Sequence, residues 1–480
     1  MISTSSSRIL FILLTFATLL FSPNLQSQNC TVSGVAPDYK GKELLFYTTS
    51  EPVTHFQNEL GTVKVAADGS FSITMTIRET TEIYTHLEKY RGTLVVKPGE
   101  SYQVTLPPYT ARTVTEARSP FFEPQLYWLG INNKEKNDIN LTIRSFVAAY
   151  NQLTAQNTME IYHRKSKESV AMVMQKLDTQ FDDVKDPYFV TLKKYYFAEL
   201  EYTVSQQKPE AVIQKYFTRE AIHLANPAYQ KAFSLIYTDY LGKLAKEISN
   251  KSLQTMVNSG NYSGVVSWFV ARGYSNDFAA LATIKGLYDG YYNNGFAKEG
   301  VIKALQQATQ QSPPLLNETA RRAFQRLSSM KTGTKAPAFN LKNQEGTIVS
   351  AANFKDKFLY LVFFRSDSRE CRAELDSLVS IEKKLRQVMN VAAIAVDENF
   401  GNAVTLWKEK NYSWPLLDGS NRNVLIQDYN VKVTPTFYLL APDGTFRLSQ
   451  APPPSRRFDD LFLKIYREYN FKAPAQNSKR

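Results

Sequence analysis

The chain has 480 residues, of which 43% are hydrophobic and 13% aromatic, and its formal charge is +12. This length suggests about three domains, and the apolar content excludes a largely disordered protein. The positive charge is spread along the chain without a long run of lysines and arginines, so we expect no nucleic-acid partner.

Residues 1–27 have the pattern of a secretory signal peptide. Arg8 supplies the positive charge, residues 9–21 are apolar, and a mostly polar stretch suited to cleavage ends at Ser27. We expect export to the periplasm or cell envelope and no transmembrane segment in the mature chain. A lipoprotein would be acylated at Cys30, but the two residues before it are poor matches for such a signal, so we do not expect this anchor.

The chain has two cysteines, Cys30 and Cys371. Disulfides persist in the oxidising compartments that exported proteins reach, yet two cysteines so far apart exclude a disulfide framework. We expect two free thiols.

Residues 28–115 are predicted to be a β-rich domain. Runs such as "ELLFYTT" and "FSITMTI" are rich in β-branched and aromatic residues. The stretch "ADGSF", Ala67 to Phe71, predicts a hairpin between two strands, and a small antiparallel β-sandwich is the simplest interpretation. His55 and His86 are isolated, which favours solvated or core positions over ligand positions.

Residues 116–330 are predicted to be helical. Segments such as "PYFVTLKKYYFAELEY" repeat apolar or aromatic residues every three or four positions. Pro187, Pro209 and Pro227 are placed near helix starts, where the missing N–H costs nothing. We expect the aromatic stripes to form the interior of an all-α bundle; a ligand groove lined by them is the alternative.

Residues 331–480 alternate apolar strand-like runs with amphipathic helices, which predicts an α/β domain. The predicted strands are "KFLYLVFF", "VAAIAVD", "TFYLLAP" and "TFRLSQ", and the predicted helices lie at about 368–388, 400–411 and 456–469. An Asp-Gly turn in "APDGTF" joins the last two strands.

Several motifs of this third region resemble the TlpA/ResA-like branch of the thioredoxins, which are exported thiol–disulfide oxidoreductases. They are "GTKAPAFNLKNQEGTIVSAANF", "CRAEL", "WPLLDGSNRNVLIQDYNV" and "VTPTFYLLAPDGT", spread in order over about residues 331–470. The resemblance implies a thioredoxin-like fold and a protein thiol, disulfide or peptide segment as the partner. It also implies that Pro435 is the cis-proline that presents a backbone edge to that partner.

The family's Trp-Cys-x-x-Cys motif falls on Asp367, Ser368 and Cys371, so only the second cysteine is present. A serine hydroxyl stays protonated near neutral pH and cannot form a mixed disulfide. Ser368 instead suits the N-cap of a helix. As a nucleophile it would need a base, and all four histidines precede residue 224. Without histidine or a second cysteine in this domain, we expect neither a metal nor another cofactor.

Cys371 allows more than one interpretation. It shares an apolar stripe with the leucines and isoleucine that follow it in the helix, which favours a role in the core. Arg365, Arg369 and Arg372 are near in sequence and would favour a reactive thiolate if their charges faced the sulfur. The pattern "SREC" also fits the Ser-x-x-Cys of peroxidases with this fold, but the proline that accompanies it would fall at Phe364.

Two hypotheses about function follow. In the first, the protein is a thiol–disulfide oxidoreductase that works through Cys371 alone and depends on an external thiol to resolve its mixed disulfide. In the second, it is a redox-inactive binding module of the cell envelope that keeps the thioredoxin fold. The predicted fold class is multidomain α+β, with a β-sandwich, a helical region and a thioredoxin-like α/β domain in that order.

Overall fold

The computed structural model describes residues 28–113, 116, 122–134, 138–247, 251–292, 295–328, 332–397, 399–420, 423–431 and 433–472. The predicted signal peptide lies outside these residues. Within them, none of the helices combines the length and the apolar character that crossing a membrane requires.

The N-terminal region is built of strands, as predicted. Two sheets are described, with the orders β4-β1-β7-β9 and β3-β2-β5-β6-β8. Side chains from both sheets, such as Val32 and Phe46, meet in one apolar core between them. The strands are β1 (Gln28–Val35), β2 (Glu43–Thr49), β3 (Gln57–Lys64), β4 (Ser70–Ile77), β5 (Thr81–Leu87), β6 (Tyr90–Val96), β7 (Ser101–Thr105), β8 (Gln125–Trp128) and β9 (Gly130–Ile131).

The hairpin predicted at "ADGSF" is wrong in its pairing. A tight turn forms there, with Gly69 at a φ of 86° and the backbone N–H of Ser70 donating to Asp68 Oδ1 at 2.9 Å. However, β3 pairs with β2 whereas β4 pairs with β1, so the turn carries the chain from one sheet to the other. An Asp-Gly sequence specifies a sharp turn, but the pairing of the strands on either side depends on tertiary contacts.

Strands also continue beyond residue 115, where the β-rich region was expected to end. β8 adds to the edge of one sheet beside β6, and β9 adds to the other beside β7. The first helix of the middle region whose bounds the structure gives begins at Ile139.

The middle region is helical, as predicted, and its aromatic side chains form the interior. Phe146, Tyr195 and Phe233 are completely buried in one large core cluster. Pro187 and Pro227 each occupy the first turn of a helix, and Pro209 is an N-cap. The α-helices are α1 (Ile139–Gln156), α2 (Lys167–Gln180), α3 (Pro187–Ser205), α4 (Glu210–Tyr216), α5 (Pro227–Tyr237), α6 (Tyr240–Lys246), α7 (Lys251–Ser259), α8 (Tyr262–Val270), α9 (Asn276–Gly290), α10 (Lys298–Gln311) and α11 (Asn317–Ser328).

The C-terminal region is an α/β domain around a mixed five-stranded sheet of order β14-β13-β12-β15-β16. The central strand is parallel to its neighbour β13 and antiparallel to β15. The strands are β10 (Asn340–Lys342), β11 (Ile348–Ser350), β12 (Phe358–Phe364), β13 (Met389–Ala395), β14 (Leu416–Asp418), β15 (Thr436–Leu440) and β16 (Phe446–Leu448). The helices are α12 (Arg369–Leu385), α13 (Phe400–Lys410), α14 (Asn423–Asp428) and α15 (Phe458–Lys472).

The four strands and three helices predicted for this region are all present, with ends that differ by a few residues. β10, β11, β14 and α14 were not predicted from the sequence. These elements have three to six residues, which is too short for a hydrophobic period to be recognised.

Candidate functional site

The candidate site lies where the central strand β12 ends and α12 begins. Every residue of β12 is buried, and its alternate side chains pack on opposite faces of the sheet. The turn from Arg365 to Ser368 leads into α12 at Arg369. This places the start of the helix at the carboxyl end of the central strand, a usual position for functional sites in α/β sheets.

Ser368 is the N-cap of α12. Its backbone is extended, with φ −81° and ψ 126°, and its Oγ accepts a hydrogen bond from the backbone N–H of Cys371 at 3.2 Å. The same hydroxyl donates to Glu370 Oε2 at 3.0 Å. The hydroxyl is therefore held by the first turn of the helix, which supports the structural interpretation of this residue.

The Cys371 side chain is completely buried on the apolar stripe of α12, together with Leu375 and Leu378. Burial raises the pKa of its thiol above the ordinary value. The hydrogen bond from the Arg365 backbone N–H, at 3.5 Å, and the polar side chains of Ser368 and Thr434 lower this pKa, but burial outweighs them. The neutral thiol is the favoured form at neutral pH, and it is a poor nucleophile.

The nearby arginines do not supply the charge that a thiolate would need. The Arg365 side chain pairs with the Asp367 carboxylate through two contacts, of 3.0 and 3.1 Å. Arg369 and Arg372 lie on the exposed face of the helix, away from the stripe that carries Cys371.

A buried carboxylate that was not predicted from the sequence fixes the turn before α12. Asp397 follows β13, and its two oxygens accept the backbone N–H of Ser366 at 3.0 and 3.1 Å. The Ser366 hydroxyl also donates to Asp397 Oδ1 at 2.6 Å. The sequence did contain a signal for this residue, since a polar side chain follows the apolar run of β13. β13 is parallel to β12, and the carboxyl ends of neighbouring parallel strands meet at one edge of the sheet, so Asp397 lies close to the turn after β12.

The peptide bond between Thr434 and Pro435 is cis. The Thr434 side chain contacts the Cys371 sulfur, so the segment before β15 lies against the start of α12. Just before it, Val433 is 62% exposed. Ser368, Cys371 and the segment around Pro435 are therefore brought together by the fold, although they are far apart in sequence.

Both cysteines are free thiols. Cys30 lies on β1 in the core between the two N-terminal sheets, where burial raises its pKa to about 11. Among the described residues, no group of three or more histidine, cysteine, aspartate and glutamate side chains is arranged to hold a metal ion.

Comparison with known proteins places the similarity in the C-terminal region. Residues 332–449 match the AhpC/TSA family. The thiol-disulfide oxidoreductase ResA of Bacillus subtilis is 26% identical over 117 residues, which cover 24% of this chain and 65% of ResA.

Solved structures that are similar to part of this chain include two bacterial examples. The thioredoxin domain of a thiol-disulfide oxidoreductase from Bacteroides vulgatus is 18% identical with a TM-score of 0.26, and the match covers 28% of this chain and 98% of that one. The thiol:disulfide interchange protein DsbE from Chlorobium tepidum is 22% identical with a TM-score of 0.26, covering 28% and 96% of the two chains.

Proposed function

We propose that the C-terminal domain, a thioredoxin-like domain of the AhpC/TSA family, is a binding module for extended peptide segments and has no self-contained thiol–disulfide exchange activity. The family match confirms the thioredoxin-like fold that the sequence predicted. The loss of redox activity, the peptide partner and the export of the chain are our proposals.

The burial of the Cys371 thiol is the main support for the absence of thiol–disulfide exchange activity. Thiol–disulfide exchange needs an accessible thiolate that attacks a disulfide, and a second thiol that resolves the mixed disulfide. Cys371 is 0% exposed and its pKa is raised, while the hydroxyl of Ser368 occupies the attacking position. A neutral alcohol in front of a buried thiol cannot complete that cycle.

The surface that remains available for binding is the segment around Val433. The side chain of Val433 is exposed and directly precedes Thr434, whereas Thr434, Pro435 and Thr436 are half-buried. An extended peptide that lies across this segment would cover Val433 and meet the polar turn at Asp367 and Ser368. We propose that the natural partner is a peptide segment in the cell envelope.

A monothiol activity is the second candidate, because the Arg365 backbone N–H donates to the Cys371 sulfur and the side chains of Ser368 and Thr434 also lower its pKa. Such bonds stabilise a thiolate once the sulfur is exposed. If the start of α12 opened, Cys371 could exchange with a partner disulfide, and an external thiol would have to complete the reaction.

Reduction of insulin disulfides by dithiothreitol separates these candidates. We expect the wild type and Cys371→Ser to be equally inactive, and Ser368→Cys to gain catalysis because it restores a cysteine pair at the helix start. Ser377→Cys, which adds a thiol on the exposed face of the same helix, is the matched control and should gain nothing. Catalysis by the wild type that Cys371→Ser removes would establish the monothiol activity instead.

Peptide binding is tested separately, with a fluorescent, reduced insulin B chain as the probe. Val433→Asp should weaken binding by about tenfold or more, because it places a charge on the apolar contact. Ile348→Asp is the control, since Ile348 on β11 is 66% exposed. Equal binding by both variants and the wild type would contradict a site at Val433.

We also propose that the chain is exported after cleavage near Ser27, without a lipid anchor at Cys30. The position of Cys30 supports the absence of a lipid anchor, since its side chain is fully buried between two sheets and an acyl chain there would disrupt the core. Mass spectrometry of the N-terminal peptide of the mature protein tests both parts. An acylated Cys30 at the N-terminus would be incompatible with the described position of β1.

A further inference from the structure

Strand β8 forms one edge of the five-stranded N-terminal sheet, and its outer backbone groups are unused. β8 pairs in parallel with β6 alone: the backbone N–H groups of Gln125 and Leu129 donate to carbonyls of β6 and of the residue before it, at 2.8 and 3.0 Å. In a parallel ladder, the groups directed at one neighbour belong to every second residue. The N–H and C=O groups of Leu126 and Trp128 therefore point away from β6, and they bond to no other described part of the chain.

An apolar groove of about 580 Å³ lies between β8 and helix α1. The side chains of Leu126 and Trp128 form one wall, on the face of the sheet opposite to Tyr127, whose ring packs against the core between the two sheets. Leu141 and Val147 of α1 contribute to the other wall. Leu126 is 56% exposed and Leu141 is 36% exposed, so the groove is open to solvent.

A buried side chain fixes the two walls relative to each other. Asn140, in the first turn of α1, is 2% exposed. Its Oδ1 accepts the backbone N–H of Val95 at 2.7 Å, and its Nδ2 donates to the Val95 carbonyl at 2.9 Å. The amide thus continues the edge of β6 just beyond β8 and attaches α1 to the same sheet. A groove that exists before a ligand binds loses less free energy to ordering on binding.

The charge of the groove favours an acidic occupant. Arg144 is the only titratable side chain among the described residues of the lining. It is exposed, and no carboxylate in the described part of the chain forms an ion pair with it. A second copy of the chain that paired at this edge about a two-fold axis would bring two equal Arg144 charges into one interface. A different partner with a carboxylate is therefore favoured over a second copy.

We propose that β8 and α1 bind an extended peptide segment with apolar side chains at alternate positions and an acidic residue on the same face. The peptide adds to the sheet as a further strand, and its main chain pairs with the free groups of Leu126 and Trp128. Its alternate apolar side chains enter the groove, and its carboxylate pairs with Arg144. This surface shares no residue with the segment around Val433, so the inference does not depend on the proposed function.

Fluorescence anisotropy of the full-length mature chain tests the proposal, with fluorescein-labelled Glu-Thr-Val-Thr-Val-Thr-Glu as the probe. Both valines and both glutamates lie on one face of an extended strand, and an acid at each end serves either strand direction. Leu126→Asp should weaken binding by about tenfold or more, because it places a charge in the apolar groove. Val35→Asp is the matched control, since Val35 is 63% exposed on the other sheet, and it should bind as the wild type does.

Charge reversal tests the role of Arg144. Arg144→Glu should weaken binding of the acidic peptide by about fivefold and strengthen binding of the same peptide with lysine in place of glutamate. Lys176→Glu makes the same kind of change on the exposed face of α2 and should alter neither affinity. Equal effects of the two variants would contradict a carboxylate site at Arg144.

A third peptide tests the main-chain pairing. An analogue whose threonine and valine amides are N-methylated should not bind, because it cannot donate to the edge of β8. The proposal is overturned if the first probe does not bind at millimolar concentration, if the analogue binds equally well, or if Leu126→Asp has no effect. A dimer in light scattering that Leu126→Asp abolishes would assign the edge to a second copy instead. Circular dichroism checks folding, and Leu141→Asp supplies a second test if Leu126→Asp is unfolded.

Discussion

Ser368 Oγ accepts the backbone N–H of Cys371 at 3.2 Å, so the residue at the attacking position of the redox motif serves as a helix cap for the residue at the resolving position. In a redox-active helix, the N-terminal N–H groups stabilise a thiolate at that attacking position. Here the neutral hydroxyl oxygen of Ser368 accepts a hydrogen bond from one of these N–H groups, that of Cys371. This arrangement supports our proposal that the domain has no self-contained thiol–disulfide exchange activity.

Removing the cap should destabilise the start of α12. Ser368→Ala loses the hydrogen bond to the Cys371 N–H, and we expect the free energy of local opening to fall by about 1 kcal/mol. Hydrogen exchange of peptides that cover Arg369–Leu385 measures this. Ser377→Ala, on the exposed face of the same helix, should change it much less; equal effects would mean that Ser368 is not a cap.

The Cys371 thiol should react slowly in the folded protein. Because it is fully buried and its pKa is raised, we expect labelling by a disulfide reagent to be on the order of a hundredfold slower than in denaturant. The labelling rate should still increase above about pH 8.5, where an ordinary cysteine is already half ionised. Ser377→Cys should add one rapidly labelled thiol, and equally rapid labelling of Cys371 would contradict its burial.

The Asp397 carboxylate should be important for both stability and the environment of the thiol. Asp397→Ala removes the acceptor of three bonds from Ser366, and we expect a loss of about 1–3 kcal/mol in unfolding free energy. It also removes a negative charge that raises the pKa of Cys371, so labelling of this thiol should become faster.

A matched control for this variant is Asp443→Ala. Asp443 accepts the backbone N–H and the hydroxyl of Thr445 at 2.9 and 2.6 Å, but in an exposed turn. We expect a smaller loss of stability and no change in the labelling of Cys371. Equal effects of the two variants would show that the bonds to Ser366 have no special role.

The strand region should lose stability in acid through His86. Burial lowers the pKa of this imidazole from about 6.5 to about 4, and its ring packs against Tyr47 and Tyr84. Because the pKa of His86 is lower in the folded state than in the unfolded state, the unfolded state binds the proton first as the pH falls. The contribution of neutral His86 to the free energy of unfolding is therefore complete above pH 6.5 and decreases as the pH falls towards 4. His86→Gln should flatten this part of the stability profile in thermal unfolding.

His163→Gln serves as the control for the pH profile, because His163 is exposed and lies outside the strand region. It should leave the profile of the wild type unchanged. An unaltered profile in His86→Gln would show that another group is responsible for the acid sensitivity.

Much of the candidate site could be predicted from local sequence. The stripe from Cys371 to Leu385 identified the buried face of α12, and Ser368 before it identified the cap. Asp397 follows a buried strand, but its role was missed because its partner Ser366 is 31 residues away and no local pattern links the two residues. The "ADGSF" hairpin was wrong for a related reason, since a turn sequence does not determine which strand will pair with which.

By itself, the sequence determined the order of the three regions, the type of most elements and the loss of the first motif cysteine. These properties depend on hydrophobic period, turn residues and residue identity, which act over a few neighbouring positions. Only the tertiary structure decided that the Cys371 sulfur is inaccessible, that Asp397 holds the turn at Ser366, and that Leu126 and Leu141 line one groove. Burial and long-range hydrogen bonds depend on which distant segments pack together, and no local pattern encodes that packing.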